Sequence, residues 1–202
     1  MKLNHLVLLI CLFCGFLTNC TTSKPYENTG ATIAAAEKNI NHKSPNQISS
    51  WENSGAIAAR TSNKSWSASY NWRQQGKNIY QINLFGPFGN GSAIIERTGN
   101  VTTYSNGGKI YASHNADQLL QQHTGVALPV NNLYYWVRGL PAPGSIQSST
   151  RNPEDQLISL HQSGYIIEYT NYASIHGILL PTQIKLRGKN VIMKMVIKHW
   201  SF

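Results

Sequence analysis

The chain has 202 residues, which is long enough for one domain with a sizeable core. Lys and Arg outnumber Asp and Glu by 17 to 8, which gives a formal charge of +9, yet only 12% of the residues are charged. The basic residues are scattered without a dense Lys/Arg run, which argues against a nucleic-acid-binding protein. The charge is a general bias that suits an anionic membrane surface or an acidic partner.

All the cysteines lie at the start of the chain, as Cys11, Cys14 and Cys20. The remaining sequence therefore has neither a disulfide framework nor a cysteine metal site. The CxxC spacing of Cys11 and Cys14 falls in an apolar run from Leu6 to Leu17, which follows the basic Lys2. This run is shorter than the roughly 20 residues that cross a bilayer, and it has the form of a secretory signal peptide.

The run ends in Leu17-Thr18-Asn19-Cys20, which resembles a bacterial lipobox. In that motif, cleavage precedes a cysteine that becomes lipid-modified. Leu17 and Thr18 fit the pattern, whereas Asn19 stands where Ala, Gly or Ser is usual. Several acyl chains on Cys20 would make a stable membrane anchor.

The lipobox divides the chain into three expected parts. Residues 1–19 are predicted to be the signal peptide, residues 20–30 a lipidated tether without an apolar face, and residues 31–202 a single domain. Thr21 follows the cysteine at a position where lipoproteins kept in the inner membrane of many bacteria carry Asp. The resemblance therefore implies transfer to the outer membrane.

The predicted elements after the tether begin with a helix and continue as strands. The alanine-rich segment Ala31 to Asn41 is predicted to be a short helix, and Ser44-Pro45-Asn46 breaks it. From Trp51 onward the apolar period is two residues, which is typical of strands with one buried face. The clearest strand is Ser65 to Arg73, whose aromatic face either packs in a core or lines a large apolar cavity. That face carries Trp66, Ala68, Tyr70 and Trp72.

The next two predicted strands flank a turn that contains three glycines and a proline, Phe85 to Gly91. The strand before the turn carries Tyr80, Ile82 and Leu84 on one face, and Ser92 to Glu96 is the returning strand. Phe88 lies in the middle of the turn. It either folds back onto the core or stays exposed, and an exposed apolar tip requires an apolar partner.

The middle of the chain is predicted to be helical, and the rest returns to strands. A hairpin over Asn100 to Ser113 precedes a helix capped by Asn115 and stopped by Gly125. Pro129 starts a second helix, which runs to Arg138. In all we expect ten or eleven short strands around two or three helices. The last strands are predicted at Gln156 to Leu160, Tyr165 to Tyr172, Thr182 to Arg187 and Val191 to Trp200.

Catalytic patterns are missing from the sequence. Of the eight carboxylates, only Glu154 and Asp155 are close in sequence, and adjacent residues of a strand point to opposite faces. The histidines show neither HxH nor HExxH spacing, and no nucleophile elbow or phosphate-binding loop occurs. The sequence therefore predicts no enzyme, no metal site and no cofactor. It favours a protein that holds apolar ligands in a cavity.

Several segments resemble the LolB family of outer-membrane lipoprotein receptors. The most specific is Tyr135 to Pro141, with the sequence YWVRGLP, and the resemblance covers the chain from about Trp51 to Trp200. It implies a mainly β fold, an open antiparallel β-barrel of about eleven strands in which two or three helices cover a hydrophobic cavity. The other matching segments are Gly55 to Ala58, Trp66 to Trp72, Gly86 to Gly89, Leu128 to Val130, Leu180-Pro181 and Trp200.

The resemblance also implies a function without a covalent step. Family members receive lipoproteins from the periplasmic carrier LolA and place them in the inner leaflet of the outer membrane. An exposed leucine in a turn between two strands is needed for insertion, and here Phe88 takes its place between Pro87 and Gly89. The candidates for lining the acyl-chain cavity are Trp66, Tyr70, Trp72, Tyr80, Ile82, Leu84, Leu133 and Trp136.

The expected partners are LolA, the acyl chains of the lipoprotein cargo and outer-membrane lipids. The expected state is a monomer, lipid-anchored on the periplasmic face of the outer membrane of a Gram-negative bacterium. An alternative is an outer-membrane lipoprotein that serves as a static lipid-binding or envelope scaffold and exchanges nothing with a carrier. The alternation of the strands leaves open which of their faces line the cavity.

Overall fold

The computed structural model describes residues 44–86, 91–126, 128–188 and 190–202. They belong to one compact unit, Asn41–Phe202. A short 3-10 turn, Pro45–Gln47, precedes the strands, and the two α-helices of the described part are α1 (Ala116–Thr124) and α2 (Val130–Trp136). The strands are β1 (Ser50–Arg60), β2 (Ser65–Gln75), β3 (Ile79–Phe85), β4 (Ser92–Thr98), β5 (Val101–Asn106), β6 (Lys109–Ser113), β7 (Ile146–Arg151), β8 (Leu157–Gln162), β9 (Tyr165–Ile175), β10 (Ile178–Gly188) and β11 (Val191–Ser201).

These strands form an 11-stranded sheet in the order β6-β5-β4-β3-β2-β1-β11-β10-β9-β8-β7. Every neighbouring pair is antiparallel, and the first strand pairs with the last at the centre of the sheet. Within the described ranges, β6 and β7 each pair with one neighbour only, so the sheet is open. The predicted mainly β class, with about eleven antiparallel strands that do not close, is confirmed.

Burial alternates along the strands, because successive side chains of a strand point to opposite faces of the sheet. In β2, Tyr70 and Trp72 are buried, whereas Ser67 and Arg73 are exposed. We call the face with the buried residues the inner face and the opposite one the outer face. The predicted aromatic face of β2 is therefore part of the inner face.

Helix α1 has the predicted ends. The Oδ1 atom of Asn115 accepts a hydrogen bond from the backbone N–H of Gln118 at 3.0 Å, which caps the first turn. Gly125 adopts φ 77°, the left-handed conformation that stops a helix at low cost for glycine. Leu119 and Leu120 are buried, so the helix packs its apolar side onto the sheet.

Helix α2 ends at Trp136, two residues before the predicted end at Arg138. The chain tightens there, since the N–H of Arg138 bonds the carbonyl of Tyr135 and the N–H of Gly139 bonds that of Trp136, both at 3.0 Å. Gly139 then takes φ 73° and turns the chain away. Neither helix of the described residues is long and apolar enough to cross a membrane.

Two strands differ from the predictions. Strand β7 was not predicted as a strand, because all of its residues are exposed and no buried alternation marks it. Strand β10 was predicted to start after Pro181, yet it begins at Ile178 and runs through that proline. The register with β9 shifts next to Pro181, and such an irregularity accommodates a residue without an N–H donor. The helix predicted for Ala31 to Asn41 lies outside the described residues.

An aromatic cluster joins α2 to the centre of the sheet. The ring of Trp51 lies 5.0 Å from Trp72 and 5.3 Å from Trp200, measured between centroids. It also stacks on Tyr134 of α2 at 6.5 Å. Each such pair adds to the stability that burial alone provides. The inner face is therefore a packed core near β1.

Candidate functional site

A cavity of about 260 Å³ lies on the inner face, where β2 to β5 meet the end of α1. The turn between β3 and β4 borders it, since the cavity wall includes Gly86 and Gly91. The N–H of Gly86 bonds the carbonyl of Gly91 at 3.0 Å, which closes the base of that turn. The lining residues are Trp66, Ala68, Leu84, Gly86, Gly91, Ser92, Ala93, Tyr104, Asn106 and Thr124.

The register of the sheet brings these residues together. Tyr70 of β2 lies opposite Leu84 of β3, Leu84 lies opposite Ala93 of β4, and Ala93 lies opposite Asn106 of β5. Residues opposite each other in neighbouring strands point to the same face. The three residues after Tyr70 in this row line the cavity. A single row of cross-strand neighbours therefore builds its floor.

Small side chains make the space. Ala68 and Ala93 stand where larger inner-face residues would fill the volume beneath α1. Two polar groups of the wall are paired within it: the hydroxyl of Tyr104 accepts a hydrogen bond from Nδ2 of Asn106 at 3.0 Å. The hydroxyl of Thr124 donates to the carbonyl of Leu120 at 2.8 Å. The surface left for a ligand is mainly apolar.

The far wall of the cavity depends on an aromatic stack. The ring of His123, in the last turn of α1, stacks on Tyr104 at 5.3 Å and on Tyr111 at 3.8 Å, between centroids. These contacts join the end of α1 to β5 and β6. Because Tyr104 is itself a wall residue, the stack couples the position of the helix to the shape of the cavity.

Larger clefts lie on the outer face over β1, β2 and β11. One has a volume of about 640 Å³, and its walls include Arg60, Lys194 and Ser65. Charged groups and hydroxyls solvate an acyl chain poorly, because apolar surface gains nothing by leaving water for polar surroundings. A second cleft, of about 310 Å³, is lined mostly by apolar side chains such as Ile57 and Val196, and its wall residues belong to β1, β2 and β11. The inner-face cavity is the candidate site because the turn between β3 and β4 borders it. No group of three or more metal-ligating side chains occurs in the described ranges.

The structure separates the predicted cavity residues into two sets. Trp66 and Leu84 line the cavity. The others lie buried in the adjoining core, and Trp136 donates its Nε1–H to Oε1 of Gln162 at 2.9 Å. Their role toward acyl chains stays a prediction. The buried set is Tyr70, Trp72, Tyr80, Ile82, Leu133 and Trp136.

Sequence reasoning missed other wall residues. Ala93, Tyr104 and Thr124 line the cavity, but no pattern in the sequence marks them as cavity residues. The signal that identifies them is the strand register, which depends on pairing between distant segments. The predicted insertion residues Pro87, Phe88 and Gly89, and the predicted lipidation site Cys20, lie outside the described residues. Both assignments stay predictions.

The volume limits what the cavity holds in this conformation. Sites for small molecules usually measure about 300–1,000 Å³. At about 260 Å³, the cavity is slightly smaller than this range. A complete acyl chain therefore requires the inner face to open further, and Thr124 at the end of α1 is part of the wall.

Comparison with known proteins agrees with this architecture. Two solved structures share the fold. The first is a LolA superfamily protein from Nitrosomonas europaea, with a TM-score of 0.51 and 13% identity, and the match covers 84% of this chain and 92% of that one. The second is a DUF1329 family protein from Desulfovibrio piger ATCC 29098, with a TM-score of 0.54 and 6% identity, and the match covers 86% of this chain and 92% of that one. Such low identities show similarity of fold alone.

Sequence relatives are closer. The chain is 30% identical over 201 residues to the outer-membrane lipoprotein LolB of Marinomonas sp. (strain MWYL1), which covers 98% of this chain and 99% of the relative. It is 37% identical over 156 residues to the protein of the same name from Pseudomonas paraeruginosa (strain DSM 24068 / PA7), covering 77% and 76%. The family model described as "Outer membrane lipoprotein LolB" matches residues 49–200. The chain therefore belongs to the LolB family of outer-membrane lipoproteins.

Proposed function

We propose that this protein receives lipoproteins from the periplasmic carrier LolA and inserts them into the inner leaflet of the outer membrane. Membership of the LolB family supports the lipoprotein-receptor role. The observation that carries the proposal is the apolar inner-face cavity, whose rim is the base of the turn that holds Phe88. Uptake and delivery would then take place at the same end of the molecule.

Transfer needs no covalent step. Acyl chains that leave a carrier in water are costly to expose, since burial of each methylene gains about 0.8 kcal/mol. The lining residues Trp66, Leu84 and Ala93 would replace the apolar surroundings that the chains leave. The direction of transfer follows if this cavity binds the chains more tightly than the carrier does.

Phe88 is proposed to act at insertion and Cys20 to provide the anchor. Burial of one phenylalanine side chain in a membrane surface gains at most roughly 1.5–3 kcal/mol. That energy can orient the turn against the lipid, but it is too small to hold the protein on the membrane. Two or more acyl chains on Cys20 give stable binding.

The positive charge is proposed to help the encounter with the carrier. The formal charge is +9, and it becomes +8 (16 − 8) when cleavage after residue 19 removes Lys2. This charge attracts an acidic protein face or anionic lipid at long range. Ions screen such attraction over about 10 Å at 0.1 M salt. Binding of the carrier should therefore weaken as salt concentration rises, and an affinity that is equal at low and high salt would remove this part of the proposal.

The relatives are named outer-membrane lipoproteins, which supports an outer-membrane location for this chain. Its placement on the periplasmic face, cleavage after residue 19, lipidation of Cys20, the tether over residues 20–30 and the monomeric state belong to the proposal. The alternative, a static lipid-binding or envelope scaffold, is less favoured, because the family match supports a receptor role.

The proposal is tested by transfer of an acylated lipoprotein from LolA to this protein and then to liposomes. The recipient is the chain with Cys20→Ser, so that no lipid is attached there. We expect the wild-type turn to accept and deliver cargo, and Phe88→Glu to accept cargo but deliver less than about a tenth of it, because a charged tip does not enter lipid.

Phe85→Glu is the matched control, since Phe85 is an exposed phenylalanine three residues earlier, at the end of β3. It should deliver nearly as well as the wild-type turn. A recipient that takes up no cargo from LolA would contradict the receptor function and favour the static scaffold.

A further inference from the structure

Several residues of the inner face carry buried side-chain polar atoms that make no hydrogen bond within the part of the chain that the structure describes. Three of them form a run that starts at the cavity wall: the Nε1–H of Trp66, the hydroxyl of Tyr70 and the amide of Asn53. Asn53 is 1% exposed and Tyr70 is 3% exposed. More than about nine in ten buried polar groups in proteins have a partner, so such a cluster calls for an explanation.

The three residues run from the cavity wall into the adjoining core. Trp66 is one of its walls. Tyr70 lies on the same face of β2 and directly opposite Leu84, another wall residue. Asn53 lies opposite Trp72, which follows Tyr70 by two residues on that face, so Asn53 is the diagonal neighbour of Tyr70. We call Trp66, Tyr70 and Asn53 the donor row.

The chemistry of the donor row is mainly that of hydrogen-bond donors. An indole Nε1–H only donates, and an amide nitrogen has two donor hydrogens. Burial raises the pKa of Tyr70, so that its hydroxyl keeps its proton and can donate. A matching ligand must therefore present acceptors within an otherwise apolar molecule.

We propose that the donor row binds the carbonyl oxygens of the ester or amide bonds that join the acyl chains to the lipoprotein, while the chains themselves occupy the adjoining cavity. This inference rests on the proposed function, since it assumes that the cavity takes acyl chains. Hydrocarbon alone gives the donor row nothing to bind. Carbonyl oxygens are acceptors at the polar end of each chain, so they satisfy the buried donors without adding a charge.

The experiment compares two ligands that differ only in their carbonyl groups. Dioctanoylglycerol has two ester carbonyls, and the dioctyl ether of glycerol has the same chain length without them. Each is titrated into the chain with Cys20→Ser, and binding is followed by calorimetry. We expect the ester to bind about three- to tenfold more tightly, the ratio that one or two hydrogen bonds supply.

Tyr70→Phe removes one hydroxyl and should reduce the ester-to-ether affinity ratio about threefold. Trp66→Phe should also reduce the ester-to-ether ratio about threefold. Trp66 is only partly buried, so this variant provides the test if Tyr70→Phe does not fold. Tyr172→Phe is the matched control, because the hydroxyl of Tyr172 already donates to the carbonyl of Leu157 at 2.8 Å. It should leave the ratio unchanged even if it lowers stability.

Equal affinities of the wild-type chain for ester and ether would overturn the inference and leave the cavity as a purely apolar site. A ratio that survives both Tyr70→Phe and Trp66→Phe would overturn it as well, since the preference would then arise elsewhere. Failure of both ligands to bind would instead contradict the proposed function, so the two failures are distinct.

Discussion

Trp136 of α2 and Gln162 of β8 are joined by a buried hydrogen bond, with 2.9 Å between Nε1 and Oε1. The same Gln162 side chain pairs with the backbone of Ala142, accepting from its N–H at 2.9 Å and donating to its carbonyl at 2.7 Å. Both Trp136 and Gln162 are 0% exposed. One amide therefore holds the helix, the segment after it and the sheet in one arrangement.

The first prediction concerns this amide. Gln162→Leu keeps the size of the side chain but leaves Nε1 of Trp136 and both backbone groups of Ala142 buried without their partner. Each orphaned group costs about 1–3 kcal/mol, so we expect the free energy of unfolding to fall by at least about 3 kcal/mol. Urea denaturation measures it.

The control for this prediction is Gln183→Leu. The Oε1 atom of Gln183 accepts a hydrogen bond from Asn171 at 3.1 Å on an exposed surface. Its loss should cost less than about 1 kcal/mol, because water replaces the bond. Equal effects of the two substitutions would show that the buried amide has no special role.

The second prediction concerns Arg138, which is 3% exposed. Its Nη1 donates to the carbonyl of Ile48, its Nε donates to that of Tyr134 at 3.0 Å, and its guanidinium lies 4.1 Å from the ring centroid of Tyr134. Burial lowers the pKa of Arg138, and these contacts offset that loss of hydration. Arg138→Lys keeps the charge but loses the planar fork, so we expect destabilisation of about 2–4 kcal/mol.

Arg73→Lys is the comparison for Arg138→Lys in the same denaturation experiment. Arg73 is exposed and pairs with Glu52 at 3.3 Å. Exposed ion pairs contribute about 0–1 kcal/mol, so the change should be small. Arg138→Lys with the stability of the wild type would mean that the buried arginine does not hold the segment around Ile48.

The third prediction concerns the close contact between the two central strands at Gly55. A Cβ atom at Gly55 of β1 would meet the carbonyl oxygen of Val196 in β11, and neither backbone can yield without disturbing the pairing. We expect Gly55→Ala to lower the unfolding free energy by about 2 kcal/mol or more. Ala56→Ser, one residue on and exposed, should stay within about 0.5 kcal/mol. Thermal denaturation of both variants checks this, and an unchanged Gly55→Ala would contradict it.

The fourth prediction is alkaline instability. Burial raises the pKa of Tyr165 to about 12. It also raises the pKa values of Tyr70, Tyr169 and Tyr172 above the ordinary value. Above about pH 10 the unfolded chain releases these protons while the folded chain retains them. The folded state then binds more protons, so stability falls as pH rises, from about pH 10 upward.

The measurement is the urea midpoint across this range, together with tyrosinate absorbance. These phenols should leave stability unchanged between about pH 7 and pH 9 and lower it between about pH 10 and pH 12, by up to about 1.4 kcal/mol per pH unit for each. The pH at which the decline begins is expected within about one pH unit of pH 10. A urea midpoint that stays the same up to pH 12 would contradict the assigned direction of these pKa shifts.

Local patterns predicted much of the fold. The alternation of Trp66, Tyr70 and Trp72 predicted β2 and its inner face, because burial repeats every second residue of a strand. Asn115 and Gly125 predicted both ends of α1, since caps depend on backbone groups within one turn. The sequence of a few adjacent residues is therefore enough to predict these elements.

Other elements depend on distant partners and could not be predicted in this way. Strand β7 has no buried residue and forms by pairing with β8. Ala93 and Tyr104 become cavity walls only through the register of β3, β4 and β5. Four of the predicted cavity aromatics, Tyr70, Trp72, Tyr80 and Trp136, are buried in the core of this conformation, and their role toward acyl chains stays a prediction. The type of a residue does not by itself show whether its side chain lines a cavity or packs in the core.

If acyl chains enter the inner-face cavity, a side chain that fills this space should block their uptake, and one matched pair of substitutions checks this. Ala93 lines the cavity, and Ile94, the next residue of β4, points to the outer face. Uptake of an acylated lipoprotein from LolA is measured for Ala93→Phe and Ile94→Phe, with folding checked by circular dichroism. We expect Ala93→Phe, by filling the space, to lower uptake about tenfold or more, whereas Ile94→Phe should stay within about twofold of wild type. Normal uptake by folded Ala93→Phe would contradict it.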